Sequence, residues 1–384
     1  MTTAPLRLYD RSRVVTDWRC PRARYWQYEF NGRGIVSDST SLELHMGTAV
    51  HDALAAIASE YQATGKVDID AIATTASRGM YDSLMQFAVD ENEAEGRTFA
   101  AEQAALVEGL VRGFYAHVWP TLTAAYPVIL AIEQEMTYPQ PDGLCFMAKP
   151  DLVVMDESEA VWYVEYKTTS SKKPSWVQSW QTAVQLHSTI RAIEATIGRD
   201  VTGVHVQGLY KGYESYGKQN SPFCYAYVKD AAPPFTAERV EYEYKPGFRR
   251  QPTWERPGGV AAWVAGMPAN MLADQFPQAP PIFIKDDLVE AFFRQTSRRE
   301  QEIAWAVGEL ANIAAEMPST GHTTESLMDA TFRQHFDQCV PAWGRPCSYR
   351  MLCHGHVEDP LTAGYCWREP HHTPELELMS NEGG

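Results

Sequence analysis

Between residues 47 and 65 the apolar positions Ala49, Ala53, Leu54, Ile57 and Tyr61 recur three and four apart, and Gly65 closes the run. That spacing predicts an amphipathic helix, with Thr48 as its N-cap. Two further helical stretches, about 70–90 and 98–119, carry the chain to Pro120, and "VTDWRCPRARYWQYEF" predicts a short helix beginning near Thr16 or Asp17. The period then changes. "YPVILAIEQEMTYP", "LCFMAKPDLVVM" and "AVWYVEYKTT" read as three consecutive strands, separated by the turn sequences "QPDG" and "DESE". A helix over "WVQSWQTAVQLHSTIRAIEATIG" and a strand over "VTGVHVQGLYKG" follow, then a strand at "SPFCYAYVKD", a Pro-rich irregular stretch and a long helix over 286–316. Helix, three strands, helix, strand is the order of an α/β fold with a central mixed sheet flanked by helices. The composition shifts divide the chain into an N-terminal helical segment (1–46), a core (47–212), an elaboration (213–335) and a cysteine-rich segment with an acidic tail (336–384).

The second and third strands carry unusual charges. If their turn runs from Asp156 to Ala160, Met155 faces Val161, Val153 faces Tyr163, and Asp151 faces Glu165. Side chains alternate with period two along a strand, so Lys167 shares the face of Glu165. Two opposed carboxylates repel, and one ammonium offsets that only in part. A hard divalent cation, Mg²⁺ or Mn²⁺, would complete the balance and could activate water. The plainer alternative is a cross-strand carboxylate–lysine pair on the surface.

A net charge of -16 excludes a protein coated in basic residues for wrapping nucleic acid, though not a local basic groove. Positive charge gathers at Arg7, Arg11, Arg13, Arg19, Arg22 and Arg24, at Lys172 and Lys173, at Lys245 with Arg249 and Arg250, and at Arg298 with Arg299. No apolar run has membrane-spanning length and the N-terminus lacks a secretory core, so the expected location is cytoplasmic, without a membrane partner. Seven cysteines include a crowd at Cys339, Cys347, Cys353 and Cys366. In a reducing compartment such a crowd suggests metal rather than disulfide. Cys145 and Cys224, in expected strands, read as small buried apolar residues. "GYESYGKQ" at 212–219 nearly spells a phosphate-binding loop, but Gln219 replaces the Mg²⁺-binding hydroxyl and a strand follows, so it reads as a hairpin loop.

Pro150–Asp151 followed by Glu165–Tyr166–Lys167 resembles the signature of the PD-(D/E)XK nuclease superfamily. "GTAVH", Gly47 to His51, is similar to the "GTxxH" motif of its RecB-like exonuclease branch, which includes the CRISPR-associated RecB-like nucleases. The resemblance implies a restriction-endonuclease-like core and a metal held by His51, Asp151, Glu165 and Tyr166. Asp151, Glu165, Lys167 and Gln185 become the catalytic residues. Gln185 opens "QLHST" where the branch carries Gln-x-x-x-Tyr, so Thr189 stands in the place of the tyrosine. Iron–sulfur members of the branch hold a [4Fe–4S] cluster with one cysteine before the core and three after it, which maps here onto Cys20, Cys339, Cys347 and Cys353. Five residues between Cys347 and Cys353 fit that pattern, while the gap before Cys347 is wider. Zinc is the rival occupant, and Cys366, His354 and His356 are rival ligands.

The implied function is metal-dependent cleavage of DNA phosphodiester bonds, by an exonuclease acting on single strands or duplex ends in repair or recombination, with any helicase or recombination partner on a separate chain. Two alternatives remain at this stage. One is a nuclease-fold DNA-binding subunit with a spent site and a structural metal cluster. The other is a redox or zinc protein with incidental carboxylates.

Overall fold

The computed structural model describes residues 7–37, 42–87, 93–170, 174–180, 183–211, 238–240, 253–255, 259–316, 321–340, 346–355, 357, 359–370, 372–373 and 375. The expected strand at 221–230 and the loop at 212–219 lie outside them. The chain opens with strand β1 (Arg7–Asp10) and helix α1 (Arg11–Arg19). Asp10 caps α1 by accepting the Arg13 N–H at 2.8 Å, so the helix begins well before Thr16. Cys20 is extended and Pro21 restarts the chain as the single turn α2 (Pro21–Arg24). A short strand β2 (Ile35–Ser37) precedes α3 (Leu42–Thr64). Because α3 starts at Leu42, Thr48 lies inside the helix instead of capping it. Gly65, at φ 71°, ends it and donates to the Tyr61 carbonyl at 2.8 Å.

Helices α4 (Ile69–Phe87), α5 (Glu93–His117) and α6 (Trp119–Ala125) lead to the strands, which correct the sequence expectation. Three expected strands are five: β3 (Val128–Ile132), β4 (Met136–Pro139), β5 (Leu144–Ala148), β6 (Leu152–Met155) and β7 (Val161–Thr169). The chain leaves the main sheet after β3, makes the β4–β5 hairpin in a second sheet beside β1, and returns at β6. Apolar alternation continues across both crossings, so periodicity alone hides them. The single helix expected over 176–198 is likewise two, α7 (Pro174–Ser179) and α8 (Val184–Ile197). They form the crossover from β7 to the parallel strand β8 (Val201–Tyr210).

After β8 come the pair β9 (Glu238–Val240) and β10 (Thr253–Glu255), then α9 (Gly259–Ala265), α10 (Ala269–Ala273) and the edge strand β11 (Ile282–Phe283). The main sheet is ordered β11-β8-β7-β6-β3. Gly208 of β8 admits the next segment closely. Its N–H donates to the Pro277 carbonyl at 2.7 Å, and a Cβ there would sit 2.8 Å from that oxygen. On one face of the sheet Leu152, Val154, Val164 and Tyr166 pack on Val50, Leu54 and Ile57 of α3 and on Leu110 and Phe114 of α5. On the other, Val153, Tyr163, Val204 and Val206 meet Leu186, Ile190 and Ile193 of α8 and Phe292 and Phe293 of α11 (Asp286–Ala314).

The C-terminal part, with α12 (Thr324–Ala330), α13 (Arg350–Cys353) and β12 (Tyr365–Trp367), returns to the N-terminal segment, where β12 pairs antiparallel with β2. Beneath this junction Arg24 is fully buried and ion-paired to Glu29 at 2.9 Å and Glu300 at 3.0 Å. Arg13, Arg24 and Arg368 all lie over the Tyr28 ring, 5.0–5.4 Å from its centre. No helix among the described residues is long and apolar enough to cross a membrane.

Candidate active site

The end of β6 that faces α3 gathers the first charged group. His51, two turns into α3, places Nδ1 3.0 Å from Asp151 Oδ1 and 3.8 Å from Glu133 Oε1. The other Asp151 oxygen accepts the Tyr166 backbone N–H at 2.6 Å, which holds the carboxylate across the β6–β7 register. Glu133 follows β3 in the left-handed region at φ 45°, an uncommon conformation for a residue with a side chain. Its N–H donates to the Asp151 carbonyl at 3.1 Å, so the turn that ends β3 is tied to the strand that carries Asp151. Lys149 Nζ reaches Glu133 Oε2 at 3.0 Å. Ligand atoms of His51, Glu133 and Asp151 all lie within 4.8 Å of one another.

A second group sits on the β7 face covered by α8. Glu165 is buried, and its Oε1 receives both Lys167 Nζ and Gln185 Nε2, while Oε2 receives the Tyr163 hydroxyl. Gln185 Oε1 in turn accepts from Arg11 Nη1 at the start of α1. Thr189, one turn further along α8, donates back to the Gln185 carbonyl at 2.9 Å and does not reach the carboxylates.

Charge separates the two carboxylates. Burial works against ionised Asp151, but His51, Lys167 and the Tyr166 N–H outweigh it and hold the carboxyl below its usual range. Burial, reinforced by the Asp151 charge, pushes Glu165 up to about 7 against the pull of Lys167 and Arg11. Burial would lower the His51 imidazole, yet the Asp151 charge and the bonds to Asp151 and Glu133 raise it to about 10. The imidazolium and Lys149 thus neutralise Asp151 and Glu133. Two carboxylates and an imidazole converging on one point are a donor set that suits Mg²⁺ or Mn²⁺ once His51 gives up its proton.

Of the residues expected from sequence, His51 and Asp151 meet directly, and Glu165, Lys167 and Gln185 meet one another. Tyr166 brings its N–H to the site, while its phenol is buried edge-on to Phe114 and His51. Glu165 is not part of the three-ligand group, and Glu133 takes a place there that sequence reasoning missed. Its signal was a carboxylate interrupting the apolar run "VILAIEQEM". Arg11 and Tyr163 were missed too, since neither belongs to a motif.

The cysteines lie at the junction of the chain ends. Cys20, between α1 and α2, packs with Tyr349, Leu352, Cys347 and Cys353. Cys347 donates its N–H to the Cys339 carbonyl at 2.9 Å. Burial pushes the Cys353 thiol up to about 11 and raises Cys347; Cys20 and Cys339 are close enough to Cys347 to add to this, as are Cys20 and Cys347 for Cys353. Cys366 is exposed on β12, opposite Val36. All these thiols are free of disulfides.

A mixed α/β sheet with paired carboxylates and a lysine on adjacent strands is the architecture of restriction-endonuclease-like proteins. The model of the PD-(D/E)XK nuclease superfamily matches residues 12–354, and the chain belongs to that superfamily, whose members are phosphodiester-cleaving nucleases. No curated protein matches the chain.

Proposed function

We propose that the protein is a metal-dependent deoxyribonuclease of the RecB-like type, acting as an exonuclease on DNA ends. The observation that carries this reading is the convergence of His51, Glu133 and Asp151 beside the Glu165–Lys167 pair. A divalent cation bound there would lower the pKa of a water and screen the charge of the attacked phosphate. His51, Glu133 and Asp151 would hold it, with Glu165 at its flank.

The chain's own groups have defined tasks. Asp151 is kept ionised and aimed by the Tyr166 N–H. Glu165, poised near neutrality, can take a proton at Oε1 or Oε2 as the water is deprotonated. Lys167 keeps its ammonium on Glu165 Oε1, where it can donate to a phosphate oxygen as negative charge develops. Gln185 and Tyr163 fix the Glu165 carboxylate so that it does not swing toward Asp151.

The same reading gives Cys20, Cys339, Cys347 and Cys353 to a [4Fe–4S] cluster. Four free thiols from both ends of the chain support it: Cys20, Cys347 and Cys353 share one packed cluster, and Cys339 is tied to Cys347 through its carbonyl. Such a group would tie α1 to α13 and close a loop spanning nearly the whole core. Substrate DNA would come from repair or recombination, with unwinding supplied by a separate chain.

Digestion of end-labelled linear and of circular DNA, each single- and double-stranded, with Mg²⁺ and with Mn²⁺, tests the proposal. Release of label from linear DNA with circles left intact is the expected result. Cut circles would make the enzyme an endonuclease, and no cutting under any condition would refute the proposed function.

A further inference from the structure

Arg11 stands apart from the other buried and half-buried arginines of the N-terminal segment. Arg7, Arg13, Arg24 and Arg299 in the same region each form an ion pair with a carboxylate: Glu29 and Glu300 for Arg7 and Arg24, Glu375 for Arg13, Asp17 for Arg299. No carboxylate among the described residues pairs with Arg11. It is half-buried at the first position of α1, and among the described residues its side chain makes one hydrogen bond, from Nη1 to the Gln185 amide oxygen. That amide is the one whose nitrogen holds Glu165. A guanidinium carries five N–H donors in a rigid fork, so among the described residues most of its donors are uncommitted at the edge of the carboxylate site. The helix does not need the side chain to start, because Asp10 provides the cap.

Resting on the nuclease reading above, we propose that Arg11 is a further substrate-contacting residue, whose guanidinium binds a phosphate of the DNA strand while Nη1 fixes the Gln185 amide. Three observations agree with this. Arg11 has no ion pair with a carboxylate among the described residues and its guanidinium lies beside the buried Glu165, so it supplies local positive charge where a substrate phosphate would meet the carboxylate site. The fork geometry of arginine matches phosphate oxygens. The guanidinium is also near enough to Glu165 to pull its pKa down, which places it by the reacting groups and not on a distant face.

The test compares wild type with Arg11→Met and Arg11→Lys. Binding of a short labelled oligonucleotide is followed across a salt series with Ca²⁺ present, and turnover is measured with Mg²⁺. For Arg11→Met the slope of log affinity against log salt should become shallower by about one. Its kcat should fall about a hundredfold, the scale for losing a charge-stabilising donor. Arg11→Lys keeps the charge and should retain the wild-type slope, with part of the kcat loss remaining because an ammonium cannot hold Gln185 and a phosphate together. A wild-type slope in Arg11→Met overturns the proposal: with normal turnover Arg11 is dispensable, and with reduced turnover it acts only through Gln185. Those results differ from failure of the underlying reading, in which wild type itself would neither bind nor cut DNA.

Discussion

Metal binding at this site should release protons, and the amount follows from the pKa shifts. At pH 7 the His51 imidazole, raised to about 10, carries a full proton, and Glu165, raised to about 7, carries about half of one. Asp151 is depressed and has none to give. A cation that takes imidazole nitrogen as ligand and draws Glu165 into its ionised form must therefore expel about 1.5 protons. Linkage then makes affinity rise roughly thirtyfold per pH unit near neutrality. Titration calorimetry with Mn²⁺ in two buffers of different ionisation enthalpy counts the protons directly. His51→Ala should lower the release to about half a proton, by the same linkage, and weaken Mn²⁺ more than Mg²⁺, because imidazole suits the softer ion. The metal-free protein should show the complementary trend. Stability tied to Glu165 is full below its ordinary 4.5 and is lost as pH rises through about 7; that tied to His51 is full below 6.5 and is lost as pH rises through about 10. Proton release near zero, or release unchanged in His51→Ala, would refute the reasoning.

Three further outcomes follow. Arg24→Met should destabilise the protein by about 3–5 kcal/mol in denaturant unfolding, because it leaves the two buried carboxylates Glu29 and Glu300 to share Arg7 alone, one negative charge short of a partner; a loss below about 1 kcal/mol, the range of exposed pairs, would count against that. Protein purified without air should be brown, and Cys20→Ala should lose its iron as completely as Cys347→Ala or Cys353→Ala, while Cys366→Ala keeps it; one zinc per chain in colourless protein would replace the cluster by a zinc site. Tyr163→Phe, which removes one charge-assisted bond to Glu165, should slow cleavage about tenfold or more with an unfolding midpoint near wild type; unchanged turnover would show that Gln185 and Lys167 suffice to hold the carboxylate.

What the sequence made legible was local. The β6–β7 hairpin forms in the expected register, Val153 opposite Tyr163 and Met155 opposite Val161. Its turn has a local chemical cause, since Asp156 accepts the N–H groups of Ser158 and Ala160 and the Trp162 indole N–H. Lys167 likewise meets Glu165 on one face, as period two requires. What was hidden depends on distant parts of the chain. Glu133 becomes a partner of His51 only because the strand turns left-handed after Ile132 and leaves the sheet, an event that apolar alternation does not mark. Arg11 reaches Gln185 because β1 docks parallel to β5 and aims α1 at α8, a pairing that four residues of sequence could not announce.

On the proposed function, Asp151, Glu165 and Lys167 act together in one metal-dependent cutting site. The most direct measurement is DNA cleavage with Mg²⁺ and with Mn²⁺ by wild type and by purified, folded Asp151→Ala, Glu165→Ala and Lys167→Ala. Groups that act as a unit fail as a unit. Cleavage by wild type should stop when the metal is chelated, and each single variant should be inactive with either ion; wild-type turnover in any of the three would overturn the joint role of these residues.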